Sequence, residues 1–164
     1  MLAVPISDAP SQPGAAAPLA ALFRRVHDEL RSELDGLDDD DLNWVPAPGA
    51  NSIATIITHL LGSEGETLRC VAGVASGRDR DAEFVRRWRT MREVLGLLAR
   101  ADHLIEDLEP LLGPQRLSAD VRLPTLPDGK AQSGMTWLVT NYGHAPEHLG
   151  QVEITSQLRR SQRS

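Results

Sequence analysis

The sequence predicts an all-α protein, a four-helix bundle with one longer crossover before the last helix. Apolar residues recur at three- and four-residue spacing in four separate segments, which is the spacing of one helix face. Clusters of Pro and Gly separate these segments, and none of the segments shows a convincing strand pattern. Four such helices in a chain of 164 residues are typical of a single bundle domain.

The chain is predicted to begin with a flexible leader over residues 1–15, followed by one domain over residues 16–164. The leader is rich in Pro, Ala, Ser and Gly, a composition that favours disorder. The first helix is expected to start near Pro18, because a proline in the first turn loses no hydrogen bond, and to end at Gly36. Its apolar face consists of Leu19, Leu22, Phe23, Val26, Leu30 and Leu34.

The second helix is predicted to begin at a cap on Asn51 or Ser52 and to run to about Val71. The segment GRDRDAEF is polar and is expected to be a connection. The third helix is predicted from about Phe84 to Leu112, because apolar residues follow one face over that whole length.

The crossover VRLPTLPDGKAQ contains two prolines and a Pro-Asp-Gly turn, so we expect at most a short irregular hairpin there. Ser133 is then expected to cap the last helix, which runs from Gly134 to about Arg160.

The composition excludes several classes of function. A formal net charge of −6 disfavours a nucleic-acid partner, whose phosphates would be repelled. No apolar run approaches the roughly 18 residues that span a bilayer, and the N-terminus lacks the pattern of a signal peptide. The single cysteine, Cys70, fits a reducing compartment, so a cytoplasmic protein that is not bound to membranes is expected.

Two histidines on the last helix, His144 and His148, stand four residues apart and therefore project from one face. Two imidazoles in this arrangement can bind one divalent transition metal. Asn141 and Gln151 share their polar stripe and are candidates to hydrogen-bond the ligands. A chance pair on a solvated face is the alternative, and Pro146 between the histidines can kink the helix.

A third ligand is needed, and His59 on the second helix is the best candidate. Small neighbours such as Gly62 leave room for an ion beside it. The helical wheel places His59 at the edge of the apolar face, which suits an open metal site and equally suits an exposed histidine. Glu64 falls within the apolar face, so it is either an ion-pair partner, which we favour, or a residue that orients an imidazole. His27 is expected to have a capping or surface role.

The segments IITHLLGSE around His59 and NYGHAPEHLGQ around His144 and His148 resemble the DinB-like superfamily. The resemblance covers nearly the whole chain after the leader. It implies an up-down-down-up order of helices, a homodimer, and a Zn, Ni or Fe ion bound by these three histidines. It also implies a relation to enzymes that use low-molecular-weight thiols, either bacillithiol or mycothiol.

Three hypotheses for function follow. The first is a metal-dependent transferase that adds a low-molecular-weight thiol to an electrophilic small molecule. The second is a metal-dependent hydrolase, which needs Glu64 or Glu147 as general base. The third is a non-catalytic protein that binds a metal or ligand in a stress response.

Overall fold

The computed structural model describes residues 14–126 and 129–163. These residues form six α-helices, namely α1 (Ala17–Leu34), α2 (Ile53–Ala72), α3 (Arg80–Val85), α4 (Met91–Leu108), α5 (Pro114–Ser118) and α6 (Gly134–Arg163). The all-α prediction is therefore confirmed. The predicted leader falls almost wholly on residues 1–13, which lie outside the described residues.

A 3-10 turn and a two-stranded antiparallel ladder lie between α4 and α6. A 3-10 turn over Glu109–Leu111 follows α4 directly. Strands β1 (Asp120–Val121) and β2 (Gln132–Ser133) pair antiparallel, with Asp120 opposite Ser133. The predicted short hairpin is thus a two-residue ladder at the base of the crossover.

The ends of the long helices follow local capping chemistry. Ser52 is the cap of α2, and its Oγ accepts a hydrogen bond from the Thr55 backbone N–H at 3.2 Å. Gly73 ends that helix in the left-handed conformation, with φ of +80°. Ser133 caps α6, accepting from the Thr136 N–H at 3.1 Å.

The prediction of one continuous helix from residue 84 to residue 112 is wrong. The polar segment before it forms α3, which Asp79 caps by accepting from the Ala82 N–H at 3.1 Å. Residues 86–90 are not helical, and α4 then begins at a capping box between Thr90 and Glu93. Helical spacing alone could not reveal this break, because the apolar spacing continues through it.

Trp88 lies in this extended stretch and shows why the spacing was misleading. Its side chain is buried, and its Nε1–H donates to Thr58 Oγ1 on α2 at 2.7 Å. The Arg86 guanidinium lies 4.0 Å from the Trp88 ring centroid and covers its outer side. Trp88 therefore packs on the core as a helical residue would, but from a non-helical backbone.

The four long helices pack in a closed ring: α2 contacts α4 and α6, and α1 contacts the same two helices. The short helix α3 packs on α2. The up-down-down-up order of helix directions stays a prediction. Of the described helices, none combines the length and apolar character needed to cross a bilayer.

Two buried clusters fill the space between these helices. The first joins one half of α1, α2, α4 and α6, and its fully buried members include Leu30, Leu42, Ile53, Ile57, Leu98 and Val152. The second surrounds the other half of the bundle and includes Phe23, Val71, Ile105, Leu117, Trp137 and Leu138. Together they fix α2 against α6, the two helices that carry the candidate ligands.

Candidate metal centre

The three predicted ligands lie together. One ligand nitrogen from each of His59, His144 and His148 can be chosen so that all three lie within 4.8 Å of one another. The Nε2 atoms of His144 and His148 are 2.8 Å apart, and the His59 ring centroid lies 5.1 Å from that of His148. All three residues are half-buried, so the cluster is sheltered but accessible.

The helix that carries His144 and His148 is continuous through Pro146. Proline has no N–H, so the hydrogen bond to the Tyr142 carbonyl is missing at this turn. The two histidines nevertheless keep the one-turn spacing of a helix, and their rings meet at a centroid distance of 4.2 Å. Pro146 therefore does not separate the pair.

Each imidazole turns its Nδ1 atom to a side-chain oxygen. The partners are Glu83 Oε2 for His59 at 3.0 Å, Gln151 Oε1 for His148 at 3.0 Å and Glu147 Oε2 for His144 at 3.4 Å. An oxygen at this position accepts a hydrogen bond only when Nδ1 carries the proton, which leaves the lone pair on Nε2. This is the arrangement typical of histidines that bind a metal through Nε2.

The spacing also fits a divalent transition metal. Metal–nitrogen bonds of about 2.1 Å place two ligand nitrogens about 3.4 Å apart in a tetrahedral site and closer in an octahedral one. The 2.8 Å between the Nε2 atoms of His144 and His148 is near this range. Imidazole nitrogen suits Zn, Ni and Fe alike, so the donor set fits each of the three expected ions.

The electrostatics of the site favour the neutral form of His148. Burial lowers the pKa of His148 below its ordinary value, and the neighbouring imidazoles of His144 and His59 lower it further, against the hydrogen bond that His148 donates to Gln151, which raises it. His148 is therefore neutral at neutral pH. A neutral imidazole has the free lone pair that a metal requires.

Sequence reasoning missed Glu83 and Arg78. The Glu83 side chain is only 8 % exposed and accepts two hydrogen bonds from Arg78, at 2.7 Å and 2.8 Å. Burial would raise the pKa of the Glu83 carboxyl, but hydrogen bonds from Arg78 and His59 hold it below its ordinary value. Both residues come from the segment interpreted as a polar connection, where no pattern in the sequence indicates burial.

The space beside Gly62 is not available to an ion, contrary to the prediction from the sequence. A Cβ atom on Gly62 would lie 2.0 Å from Glu83 Oε1 and 2.8 Å from the carboxyl carbon. The space beside this helical glycine is therefore taken by the Glu83 carboxylate. The close approach of α3 to α2 requires a residue without a side chain at position 62.

Glu64 does not lie at the three histidines. Its Oε2 is 3.0 Å from His27 Nε2, and the other ring nitrogen of His27 is 2.6 Å from Asp102 Oδ1. Of its two predicted roles, the structure shows the ion-pair partner. The surface role expected for His27 is wrong, because this residue is 0 % exposed.

The charge on His27 follows from these contacts. Burial lowers the pKa of this imidazole, but hydrogen bonds and attraction from Glu64 and Asp102 outweigh burial and raise it above the ordinary value. His27 is thus a cation between α1, α2 and α4, and belongs to the core of the fold.

Gln151 lies beside a candidate ligand, whereas Asn141 contacts a different residue. Gln151 contacts His148, as described above, whereas Asn141 donates from Nδ2 to Ser63 Oγ at 3.0 Å. The Oδ1 atom of Asn141 is buried and receives no hydrogen bond from any described residue. Asn141 makes no hydrogen bond to the three histidines but lines the cavity beside them.

A cavity of about 590 Å³ opens beside His59 and His144. Its apolar wall consists of Leu123, Leu126 and Trp137, and its polar side chains include Glu66, Arg78, Arg80, Thr125, Asn141 and Glu147. This volume lies within the range of small-molecule sites in proteins. The histidine cluster therefore borders a space that a small organic molecule can enter.

The fold and this site together define a helical-bundle protein with a candidate three-histidine metal centre. The family model of the DinB superfamily matches residues 8–152. The chain therefore belongs to the DinB superfamily. The match begins inside the predicted leader.

Solved structures agree with this assignment at the level of the fold. A DinB-like protein from Bacillus cereus is similar with a TM-score of 0.68 and 15 % identity, over 85 % of this chain and 89 % of that one. A DinB-like protein from Bacillus subtilis gives a TM-score of 0.62 and 15 % identity, over 85 % and 90 % of the two chains. The comparison with curated proteins gave no match.

Proposed function

We propose that this chain binds one divalent transition metal, Zn, Ni or Fe, through His59, His144 and His148. We further propose that it is a transferase that joins a low-molecular-weight thiol to an electrophilic small molecule. The observation that carries the proposal is the convergence of three imidazoles, each with Nδ1 facing an oxygen, beside a cavity of about 590 Å³.

His59, His144 and His148 would hold the ion, and the ion would supply the positive charge that favours the thiolate form of a thiol bound beside it. The chain supplies the rest of the site. Leu123, Leu126 and Trp137 offer an apolar surface for the carbon skeleton of an electrophile. An apolar surface of this kind would disfavour water beside the electrophile, which would favour attack by the thiol sulfur over hydrolysis.

Metal analysis and calorimetry test the two parts of this proposal separately. Protein purified without added metal should contain about one equivalent of a transition metal, and His148→Ala should contain almost none. Mycothiol, bacillithiol and glutathione are then titrated into the metal-loaded protein and into His148→Ala. Binding of at least one thiol to the wild type alone supports the transferase. Absence of binding by all three contradicts it while leaving the metal site intact.

Metal-dependent hydrolysis is a second candidate, and one observation favours it. Glu147 is 72 % exposed at its side chain, lines the cavity and lies 3.4 Å from His144 Nδ1, so it is available as a general base. Glu64 is not available, because it is buried against His27. Glu147→Gln should abolish hydrolysis of activated esters if this candidate is correct, and should leave thiol binding unchanged if the transferase is correct.

A further inference from the structure

We propose that Arg78 is a positioning residue of the metal centre. Through Glu83 it holds the His59 imidazole in the tautomer and direction needed for ligation, and through Glu66 it joins this ligand to the wall of the cavity. The inference rests on the metal site proposed above and adds a residue that is not itself a ligand of the ion.

Arg78 and Glu83 form a bidentate ion pair. Nε of Arg78 donates to Glu83 Oε1 at 2.7 Å, and Nη2 donates to Oε2 at 2.8 Å. A bidentate pair of this kind fixes the plane of the carboxylate as well as its position. The same Oε2 atom faces His59 Nδ1 at 3.0 Å, so the orientation of the imidazole depends on the orientation of this plane.

Arg78 also determines which group is the partner of His59. Its Nη2 lies 3.4 Å from His59 Nδ1, but a guanidinium can only donate. The carboxylate contact is shorter and charge-assisted, so Nδ1 keeps its proton and donates to Glu83. Arg78 also supplies the opposite charge that the buried Glu83 carboxylate requires.

Arg78 also donates to Glu66, which links it to the cavity wall. Its Nη1 donates to Glu66 Oε2 at 3.0 Å, and Glu66 is 1 % exposed, two turns after His59 on α2. Glu66 in turn accepts from the Thr125 backbone N–H at 3.1 Å and from the Thr125 hydroxyl. Thr125 belongs to the crossover and lines the cavity. Arg78 therefore connects the candidate ligand His59 to the crossover, which lines the cavity at Thr125.

Gly62 supports this interpretation independently of Arg78. A Cβ atom at position 62 would overlap the Glu83 carboxylate at 2.0 Å, so any larger residue displaces that group from His59. The variant Gly62→Ala therefore displaces the Glu83 carboxylate while the Arg78 side chain is kept, although the new Cβ atom would also lie 3.4 Å from Arg78 Nε. Alanine is also the better helix former by about 1 kcal/mol, so α2 itself is not weakened.

The experiment compares Arg78→Gln, Arg78→Lys and Gly62→Ala with the wild type. Gly96→Ala is the matched control, because this residue lies on α4, which carries none of the candidate ligands, and its Cβ would meet the flexible end of Arg100 at 3.4 Å. Nitrogen-15 resonance of the His59 ring in the metal-free protein reports the tautomer. Calorimetry with Zn²⁺ gives the metal affinity, and the visible spectrum of the Co²⁺-loaded protein gives the ligand geometry.

The wild type should show the Nδ1–H tautomer of His59. Arg78→Gln and Gly62→Ala should lose this preference, weaken Zn²⁺ binding by about 10- to 100-fold and alter the Co²⁺ spectrum. Arg78→Lys should recover part of the affinity, since an ammonium supplies the charge but not the bidentate contact. Gly96→Ala should stay within twofold of the wild type.

Two results would overturn the inference. If Arg78→Gln and Gly62→Ala keep the wild-type tautomer, affinity and spectrum, Arg78 has no positioning role even though the metal site stands. If the wild type binds no Zn²⁺ or Co²⁺, the metal site and this inference fail together. Should Arg78→Gln not fold because it leaves two carboxylates buried without their cation, Arg78→Lys decides, because it keeps the charge but not the bidentate contact: a wild-type tautomer, affinity and spectrum in this variant would contradict the inference.

Discussion

The Nε2 atoms of His144 and His148 lie 2.8 Å apart, while the Nδ1 atom of each ring faces an oxygen on its own helix. With both protons on Nδ1, two lone pairs point at each other across this distance. Such lone pairs repel unless a positive centre lies between them, either a shared proton or a metal ion. The helix thus presents a pair of nitrogens that gains from binding a cation.

The first prediction concerns the metal itself. Alanine at His59, His144 or His148 should each reduce the bound metal from about one equivalent to less than a tenth, because two imidazoles alone bind weakly. Added Zn²⁺ should raise the melting temperature of the wild type but not of these variants. His103→Ala is the control, since His103 is 74 % exposed and lies outside the cluster. Equal metal content in all four variants would contradict the assignment.

The second prediction is the pH dependence of metal affinity. Because burial lowers the pKa of His148 below its usual value near 6.5, this ligand is already neutral at pH 7. Affinity for Zn²⁺ should therefore change little between pH 7 and pH 8 and should fall below about pH 6, where protons compete for the imidazoles. Calorimetry across this range measures it. A steady tenfold rise from pH 7 to pH 8 would be inconsistent with a lowered pKa.

The third prediction concerns the buried cation His27. Its pKa in the folded state is raised above the unfolded value near 6.5, so its stabilising effect is complete below about pH 6.5 and is lost as pH rises through the folded-state pKa. His27→Gln should lower the free energy of unfolding by about 3 kcal/mol at pH 6, because it leaves Glu64 buried without a cation. The difference from the wild type should be smaller at pH 9.

Urea denaturation of the metal-free proteins at both pH values measures this effect. The difference between wild type and variant isolates the contribution of His27 from that of the rest of the chain. His103→Gln is the control and should have no effect at either pH, because its side chain is exposed. An equal destabilisation by His27→Gln at pH 6 and pH 9 would show that packing, not charge, is its contribution.

The fourth prediction tests the connection between α3 and α4. Trp88→Phe should destabilise the fold by about 1 kcal/mol, because it removes the hydrogen bond to Thr58 and keeps most of the apolar contact. Trp88→Ala should cost about 3 to 5 kcal/mol through the cavity that it leaves. Trp44→Phe is the control, since Trp44 is half-buried and its ring centroid lies 5.6 Å from the Arg159 guanidinium. Equal effects at positions 44 and 88 would argue against the buried hydrogen bond.

The four long helices could be predicted from the sequence because each has apolar periodicity and a local start or stop signal. Ser52, Gly73 and Ser133 act within their own turn, so their effect is visible in the sequence. The helix α3 has six residues and no apolar face of its own, so its Asp79 cap alone does not distinguish it from a polar loop. Its existence depends on packing against α2.

The residues of the candidate site also fall into those that the sequence predicts and those that it does not. His144 and His148 are neighbours through helix geometry alone, and a spacing of four residues is enough to place them together. His59 required the family resemblance, since no local pattern brings α2 against α6. Glu83 and Arg78 could not be found, because a buried carboxylate and its arginine are meaningful only once α3 lies on Gly62.

Pro146 also affects how easily α6 bends between the two candidate ligands His144 and His148. The turn between His144 and His148 lacks the backbone hydrogen bond that would tie residue 146 to Tyr142, yet the helix runs on to Arg163. This turn is therefore the softest point of the helix against bending. In the proposed metal centre, the angle between the two imidazoles would therefore change at little cost in energy, which would admit ions of different radius.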